Sequence, residues 1–332
     1  MSLRKLLLLF SLVVSSLNVS ATHLLGGEII WKCQPNGTYK FTLVVYRDCG
    51  GITIATTPQT IANNAGVTIT CSLVGISDVT KSCYLGTDSC VGSSSGEGNM
   101  QKYVFQSGDV TLTGTPPLSG WHFTWNSCCR PSSITNIISP GNQGYLLRAV
   151  MYPYSPPGQG SALSAGTTSN PTCYDSSPDF LEDPFVVACV GQDISYNNFG
   201  YDPDLDSLYY QLANPLQGSY WPGSTVTWST GYSSTSPLPS SAGNTPANVD
   251  GVLGEISFNC TQVGSWATCV SIQSWRCGQL IGEIFRDIPI VTRSCPTDTT
   301  GLCSSLFVDS PPYFSVDLDT NYTFPISIQT DT

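Results

Sequence analysis

The clearest pattern along the chain is alternation of apolar and polar positions. In "YKFTLVVYRDC", Tyr39, Phe41, Leu43 and Val45 share one side. A period of two puts successive side chains on opposite faces of a strand, so this stretch predicts a half-buried β-strand. "GGEIIWKC" just ahead predicts its partner. "QPNGT" between them predicts the hairpin turn, with Asn36-Gly37 able to take positive φ. "TIANNAGVTITCSL", "GDVTLTG" and "GWHFTWNSCC" predict further short strands between turn clusters. "GYLLRAVMYPY" sets Leu147, Ala149 and Met151 against Arg148 and Val150. From Tyr154 to Asp179 the apolar period disappears, which reads as a long loop.

A second series of strands starts near Phe180 with "PFVVACVG", "SLYYQLANP", "STVTWSTG" and "GEISFNC". The longest β pattern then follows, "SWATCVSIQSWRCGQLIGEIFRDIPIVT". Trp266, Thr268, Val270 and Ile272 line one face of its first arm. After a Cys277-Gly278 turn, Leu280, Ile284, Ile288 and Ile290 line the second. Pro289 has no amide proton, which predicts an edge or a bulge there. About seven short strands in roughly 115 residues describe an immunoglobulin-like sandwich. The expected organisation is two disulfide-stapled β-sandwich units, residues 22–178 and 179–296. Residues 297–332 follow as a linker and the incomplete start of another β module.

The N-terminus changes the setting. Arg4 and Lys5 precede an apolar run, Leu6–Val14, and Val19 and Ala21 offer small residues for cleavage. That is the layout of a secretory signal peptide over residues 1–21. The run is shorter than the about 20 residues of a membrane span. A secreted or cell-surface chain with no membrane span in its mature part is therefore expected. The whole chain has 12 cations against 23 acids; without Arg4 and Lys5 the balance is 10 against 23, or −13. Such a charge argues against nucleic acid and anionic membranes.

Fourteen cysteines all lie beyond residue 21: Cys33, Cys49, Cys71, Cys83, Cys90, Cys128, Cys129, Cys173, Cys189, Cys260, Cys269, Cys277, Cys295 and Cys303. In an exported chain with two histidines and no CxxC pair, disulfides rather than zinc are the expectation. Cys128 and Cys129 point to opposite faces if they lie on a strand, so each is expected to bridge to a different partner. A vicinal disulfide is the alternative.

The candidate chemistry is sparse. Asp202, Asp204 and Asp206 in "YDPDLDSLYYQL" place carboxylates at alternate positions of a turn, an arrangement that can converge on Ca²⁺ and its roughly 6–8 oxygens. Glu182, Asp183, Asp193 and Asn198 are the neighbouring sources of further ligands. As an EF-hand the stretch fails, since Ser207 and Ala213 replace the required glycine and glutamate. The competing reading is a polar turn in which Asp caps its own backbone and Pro203 presets φ. Tyr220 and Trp221, beside Pro222 in a loop, are the candidate ligand contacts, while Trp31, Trp266 and Trp275 read as core. "GSSSG" at Gly92–Gly96 lacks the strand-to-helix context of a nucleophile elbow, and only His23 and His122 could serve as bases. No catalytic residue is assigned.

"ATHLLGGEIIWKCQPNGTYKFTLVVYRDC", "FTWNSCCR", "ITNI", "YDPDLDSLYYQL" and "VGSWATCVSIQSWRCGQLIGEIFRDIPIV" occur in that order. Together they resemble the N-terminal region of large exported surface proteins of gliding-type Bacteroidota. Those proteins carry PKD, cadherin-like or other immunoglobulin-like modules and type IX secretion sorting domains. The resemblance covers nearly all of residues 22–296 and implies extracellular architecture and adhesion. The chain departs from it at Leu205, where the family's "DPDGDSL" turn has glycine, and has no recognisable sorting domain before Thr332. The expected function is a non-catalytic structural or adhesive surface module. Its partners would be other surface domains or proteins and extracellular glycans. The alternatives are a calcium-dependent carbohydrate- or protein-binding adhesin and, third, a secreted hydrolase.

Overall fold

A computed structural model describes residues 24–80, 90, 99–165, 173–184, 187–197 and 199–294. The signal segment, His23, Cys83, Gly92–Gly96, Asn198, Cys295, Cys303 and residues 297–332 lie outside that set.

The fold is all-β. Its first strands are β1 (Leu24–Cys33), β2 (Tyr39–Asp48), β3 (Gln59–Asn63), β4 (Ile69–Asp78), β5 (Met100–Ser107), β6 (Trp121–Ser127) and β7 (Tyr145–Met151). Short pieces follow: β8 (Asp179–Phe180), β9 (Val187–Cys189), β10 (Asp193–Asn197), β11 (Gly200–Tyr201), β12 (Ser207–Leu212), β13 (Leu216–Gln217) and β14 (Ser224–Thr225). The chain closes with β15 (Thr245–Val249), β16 (Glu255–Asn259), β17 (Gly264–Arg276) and β18 (Gln279–Arg293). Among the described residues the only helical piece is a 3₁₀ turn at Pro140–Asn142.

The principal sheet runs β1-β2-β5-β4-β3-β6-β7-β18, and β18 returns to β1 where Gly27 faces Asp287. The pairings therefore close into a ring, which removes the exposed edges an open sheet would leave. Closure depends on "GG". A β-carbon on Gly26 would lie 1.7 Å from the Asp287 carbonyl oxygen, and one on Gly27 2.1 Å from that of Val44. Gly26 also has φ 137°, a conformation side chains rarely adopt.

The alternation read from sequence fills the ring. Tyr39, Phe41, Leu43 and Val45 are fully buried, and Leu147, Ala149 and Met151 join them in one core with Ile29, Trp31, Phe105 and Phe123. Phe123 is its aromatic centre, 4.6 Å from Phe41 and 6.0 Å from Trp31 between ring centroids, both tilted. Such pairs add attraction beyond their buried area. Of the hairpin turns, Gly37 takes positive φ, and Cys277 and Gly278 both do.

β18 is the shared element. It pairs with β17 along its length, with β7 at Gly282–Ile284, and in parallel with β9 at Val291–Arg293. Pro289 sits in the interval between the β1 contact and the β9 ladder. β18 is central to the sheet as a whole, but at Pro289 only β17 is paired and the other side is a local edge, as expected for a residue without an amide proton. A second core gathers Leu238, Ala247, Ile256, Phe258, Trp266, Val270 and Ile290 between the β10-β16-β15 sheet and the β17–β18 hairpin. Trp266 is buried as read from sequence; Trp275 is 36% exposed, near the end of its strand.

Candidate functional site: carboxylates around Arg276

The "DPDLD" stretch forms the turn leading into β12. Asp202 Oδ1 accepts the amide protons of Asp204 (2.8 Å) and Asp206 (3.2 Å), and the Leu205 amide donates to the Asp202 carbonyl (3.1 Å). This is the backbone-capping role that short acidic side chains take in turns. Leu205 adopts φ 64°, so the conformation expected of glycine is made by a leucine whose side chain is 92% exposed.

The alternating aspartates do not all converge. The carboxylates brought within 4.8 Å of one another are Asp175, Asp204 and Asp206. Asp202 faces its own backbone instead. Glu182, Asp183 and Asp193 are elsewhere: the Asp183 carboxylate meets Lys102 at 2.7 Å, the Glu182 carbonyl accepts from Arg286, and Asp193 accepts from Asn259. Arg276, at the end of β17, fills the centre of the cluster. It donates to both Asp206 oxygens at 2.7 and 2.5 Å and to the Tyr174 carbonyl at 2.6 Å. Its guanidinium also lies 3.5 Å from Asp175 and 3.7 Å from Asp204. The bidentate fork on Asp206 is the strong form of such a pair. Asp204 in turn accepts the Ser176 amide at 2.5 Å, tying the turn to the loop that follows Cys173.

Sequence reasoning missed Asp175 and Arg276. Both lie far from the turn in sequence, Asp175 in a loop without periodicity and Arg276 at a hairpin end. The pairing of β12 with β17, Ser207 opposite Trp275, brings Arg276 to the turn, and the loop after Cys173, tied to Asp204 through the Ser176 amide, brings Asp175.

The electrostatics follow from burial. Asp175 is 1% exposed; loss of water pushes its carboxyl well above the usual range, the charges of Asp202, Asp204 and Asp206 add to this, and Arg276 opposes it. Desolvation also pushes Asp202 up to about 6, against the two amide hydrogen bonds it accepts. Asp175 Oδ2, Asp202 Oδ2, Tyr39 OH and Trp31 Nε1 are buried without a hydrogen-bond partner among the described residues. Three carboxylates, Asp175, Asp204 and Asp206, share one guanidinium here, and the same oxygens are of the hard type that calcium takes.

The loop candidates divide. Trp221 stacks on His122 with centroids 3.8 Å apart and planes at 18°, so its ring is committed to the protein, whereas Tyr220 is 39% exposed. His122 is buried on β6 and its Nε2 donates to the Ser119 carbonyl at 2.9 Å. Burial lowers its pKa, with Arg148 adding to the effect.

The cysteines form Cys33–Cys173 and Cys49–Cys90, and Cys189 is also disulfide-bonded. Cys128 and Cys129 are joined to each other, not to separate partners as the strand argument predicted. β6 ends at Ser127, so the alternation on which that argument rested does not reach them. Cys71, Cys260, Cys269 and Cys277 carry free thiols, the first three buried, which corrects the expectation that they are bridged. Buried cysteine packs as a small apolar residue, and Cys71 belongs to the ring core, where burial pushes its thiol up to about 12. Cys49, Asp78 and Cys90 also cluster, but a disulfide consumes both thiols.

Among the described residues no helix is long and apolar enough to cross a membrane. No family model, curated protein or solved structure matches this chain.

Proposed function

We propose that the chain is a non-catalytic, exported structural and adhesive module of a cell-surface protein. The observation that carries this reading is where its cross-links fall. Cys33–Cys173 spans 140 residues, and the buried pairs Arg130–Asp287 and Arg286–Glu28 join residues 157 and 258 apart. Arg130 grips Asp287 with two nitrogens, at 2.9 and 2.6 Å, and stacks over Tyr145. Groups of the type that do chemistry in enzymes are here committed to holding distant segments together. The second core supports an immunoglobulin-like unit within this proposal. Its β9, β18, β17 and β12 face β10, β16 and β15, a four-on-three layering of the kind such domains use. The resemblance to exported Bacteroidota surface proteins with PKD-like and cadherin-like modules points the same way.

Non-reducing peptide mapping of the secreted protein should recover Cys33–Cys173 and Cys49–Cys90. Replacing Cys33 and Cys173 by alanine should lower stability by about 2–4 kcal/mol. Free thiols at all four positions would sink the scaffold reading. So would turnover of a polysaccharide, ester or peptide substrate that is lost in His122→Ala.

A calcium-dependent adhesin is the second reading, favoured by the convergence of Asp175, Asp204 and Asp206. It requires that chelator lower the melting temperature and that Asp204→Ala abolish that response. Melting curves that coincide with and without calcium would remove it.

A further inference from the structure

The outer face of β1 and β2 carries a charge arrangement that runs against the rest of the molecule. In the β1–β2 register Lys32 stands directly opposite Lys40, so both side chains leave the same face of the sheet. Like charges placed this way repel and destabilise a sheet. Neither ammonium has a carboxylate within 4.0 Å among the described residues, although acids outnumber cations 23 to 12 in the chain. Other cations are engaged: Lys102 with Asp183, Arg130 with Asp287, Arg276 with Asp206 and Arg286 with Glu28.

The two lysines line a cleft of about 170 Å³. Its floor continues through the adjoining outward row Ile30, Thr42 and Gln106, which face one another across β1, β2 and β5. Its opposite wall is Ser177, Asp179, Tyr201 and Pro203, brought over the sheet by the β8–β11 pairing. Asp179 is the one carboxylate on that wall, and its oxygens accept from the Phe180 amide (2.7 Å) and the Tyr201 hydroxyl (3.4 Å). Tyr201 keeps 40% of its surface exposed at the rim.

We infer that this cleft binds a sugar unit bearing a carboxylate or sulfate group. The two ammoniums supply the charge that recognises the anion, Gln106 and Thr42 offer hydrogen bonds to hydroxyls, and the exposed Tyr201 ring gives an apolar face for the sugar ring. The volume is below the roughly 300–1,000 Å³ of drug-sized pockets, so it accepts one ring with the rest of the chain outside. An acidic peptide fits less well. Strand addition needs an open sheet edge, and here β1 is closed by β2 on one side and by Ser176 and Ser177 on the other. The assignment rests on the adhesive part of the proposed function and names its ligand class.

Isothermal titration of the intact chain with a heparin tetrasaccharide and a galacturonate tetramer separates sulfate from carboxylate, with a neutral tetrasaccharide and poly-glutamate as counter-probes. One or both anionic sugars should bind, and Lys32→Gln/Lys40→Gln should weaken that binding at least tenfold while the melting temperature holds or rises. Asp179→Asn should tighten it. Absence of binding by either anionic sugar, equal affinity in the double variant, or equal binding of the neutral sugar would overturn the assignment. Binding of poly-glutamate alone, lost in the double variant, would overturn the sugar in favour of an acidic peptide. An unchanged disulfide map and melting curve alongside any of these failures would leave the scaffold standing without this ligand.

Discussion

At the scale of single residues, two positions in the acidic turn make opposite demands. Leu205 holds φ 64° with its side chain almost wholly in water, so it bears the cost of a left-handed conformation without the return of burial. Leu205→Gly should therefore stabilise the protein by about 1 kcal/mol, less than the full conformational penalty because glycine also loosens the unfolded chain. Urea denaturation checks this, and a loss of stability would show that the leucine is held by contacts the geometry does not reveal. Asp202 makes a different contribution. Its carboxyl is pushed up to about 6, above the ordinary value, so the folded state holds its proton more tightly than the unfolded chain does. The resulting stability is complete below the unfolded pKa and is lost as pH rises from about 4 to about 6. Asp202→Asn keeps an oxygen for the Asp204 and Asp206 amides but cannot ionise. Across that window its stability should fall less steeply than the wild type's, by roughly 1–2 kcal/mol in total. Melting temperatures at half-unit pH steps, compared between the two, provide the measurement.

At the scale of elements, ring closure concentrates its constraint on a few atoms. Gly26 and Gly27 lie where β1 touches β18, and the atoms a β-carbon would strike are backbone oxygens, which cannot swing aside as a side chain can. Gly26→Ala and Gly27→Ala should each cost roughly 2–4 kcal/mol, by combined strain and overpacking. Gly66→Ala, where a β-carbon meets open space but φ is 76°, should cost only the conformational part, about 1 kcal/mol. Equal losses at all three positions in denaturant titrations would deny that close approach matters at the closure. Part of the strand pattern was legible from sequence because a period of two is a local property: the faces read for Tyr39–Val45 and Leu147–Met151 are buried in the ring core. Val44, Tyr46 and Val150 on the opposite faces are buried as well, however. β5 (Met100–Ser107) went unread, and residues 108–114, read as a strand, hold only an isolated bridge at Val110. What each strand pairs with was not legible, since register between distant segments leaves no trace in either segment alone. The site shows the same limit. The turn of Asp202–Asp206 could be read, but Asp175 and Arg276 reach it only through the loop after Cys173 and the β12–β17 ladder, so the true partners of the aspartates were hidden.

At the scale of the whole molecule, β18 decides how the chain coheres. From sequence, residues 22–178 and 179–296 read as separate units, because the loop before Asp179 lacks periodicity and strand patterns resume after it. Yet the ring formed by β1 to β7 is completed by β18, and the same strand carries Ile284 into the ring core and Ile290 into the second core. It also brings Asp287 to Arg130 and Arg286 to Glu28. Deleting it would strip β7 and β1 of their shared neighbour and leave Arg130 and Glu28 buried without a counter-charge, a loss of about 3–5 kcal/mol for each broken pair. That is comparable to the roughly 5–15 kcal/mol by which ordinary domains are stable. A chain ending at residue 178 should accordingly show no cooperative unfolding transition, even though it keeps Cys33–Cys173 and every ring strand but one. Supplying residues 179–294 as a separate polypeptide should restore a transition by strand complementation. If the 24–178 fragment alone melted sharply, near the temperature of the intact chain, the ring would be self-sufficient and β18 a docked neighbour instead of its closing strand.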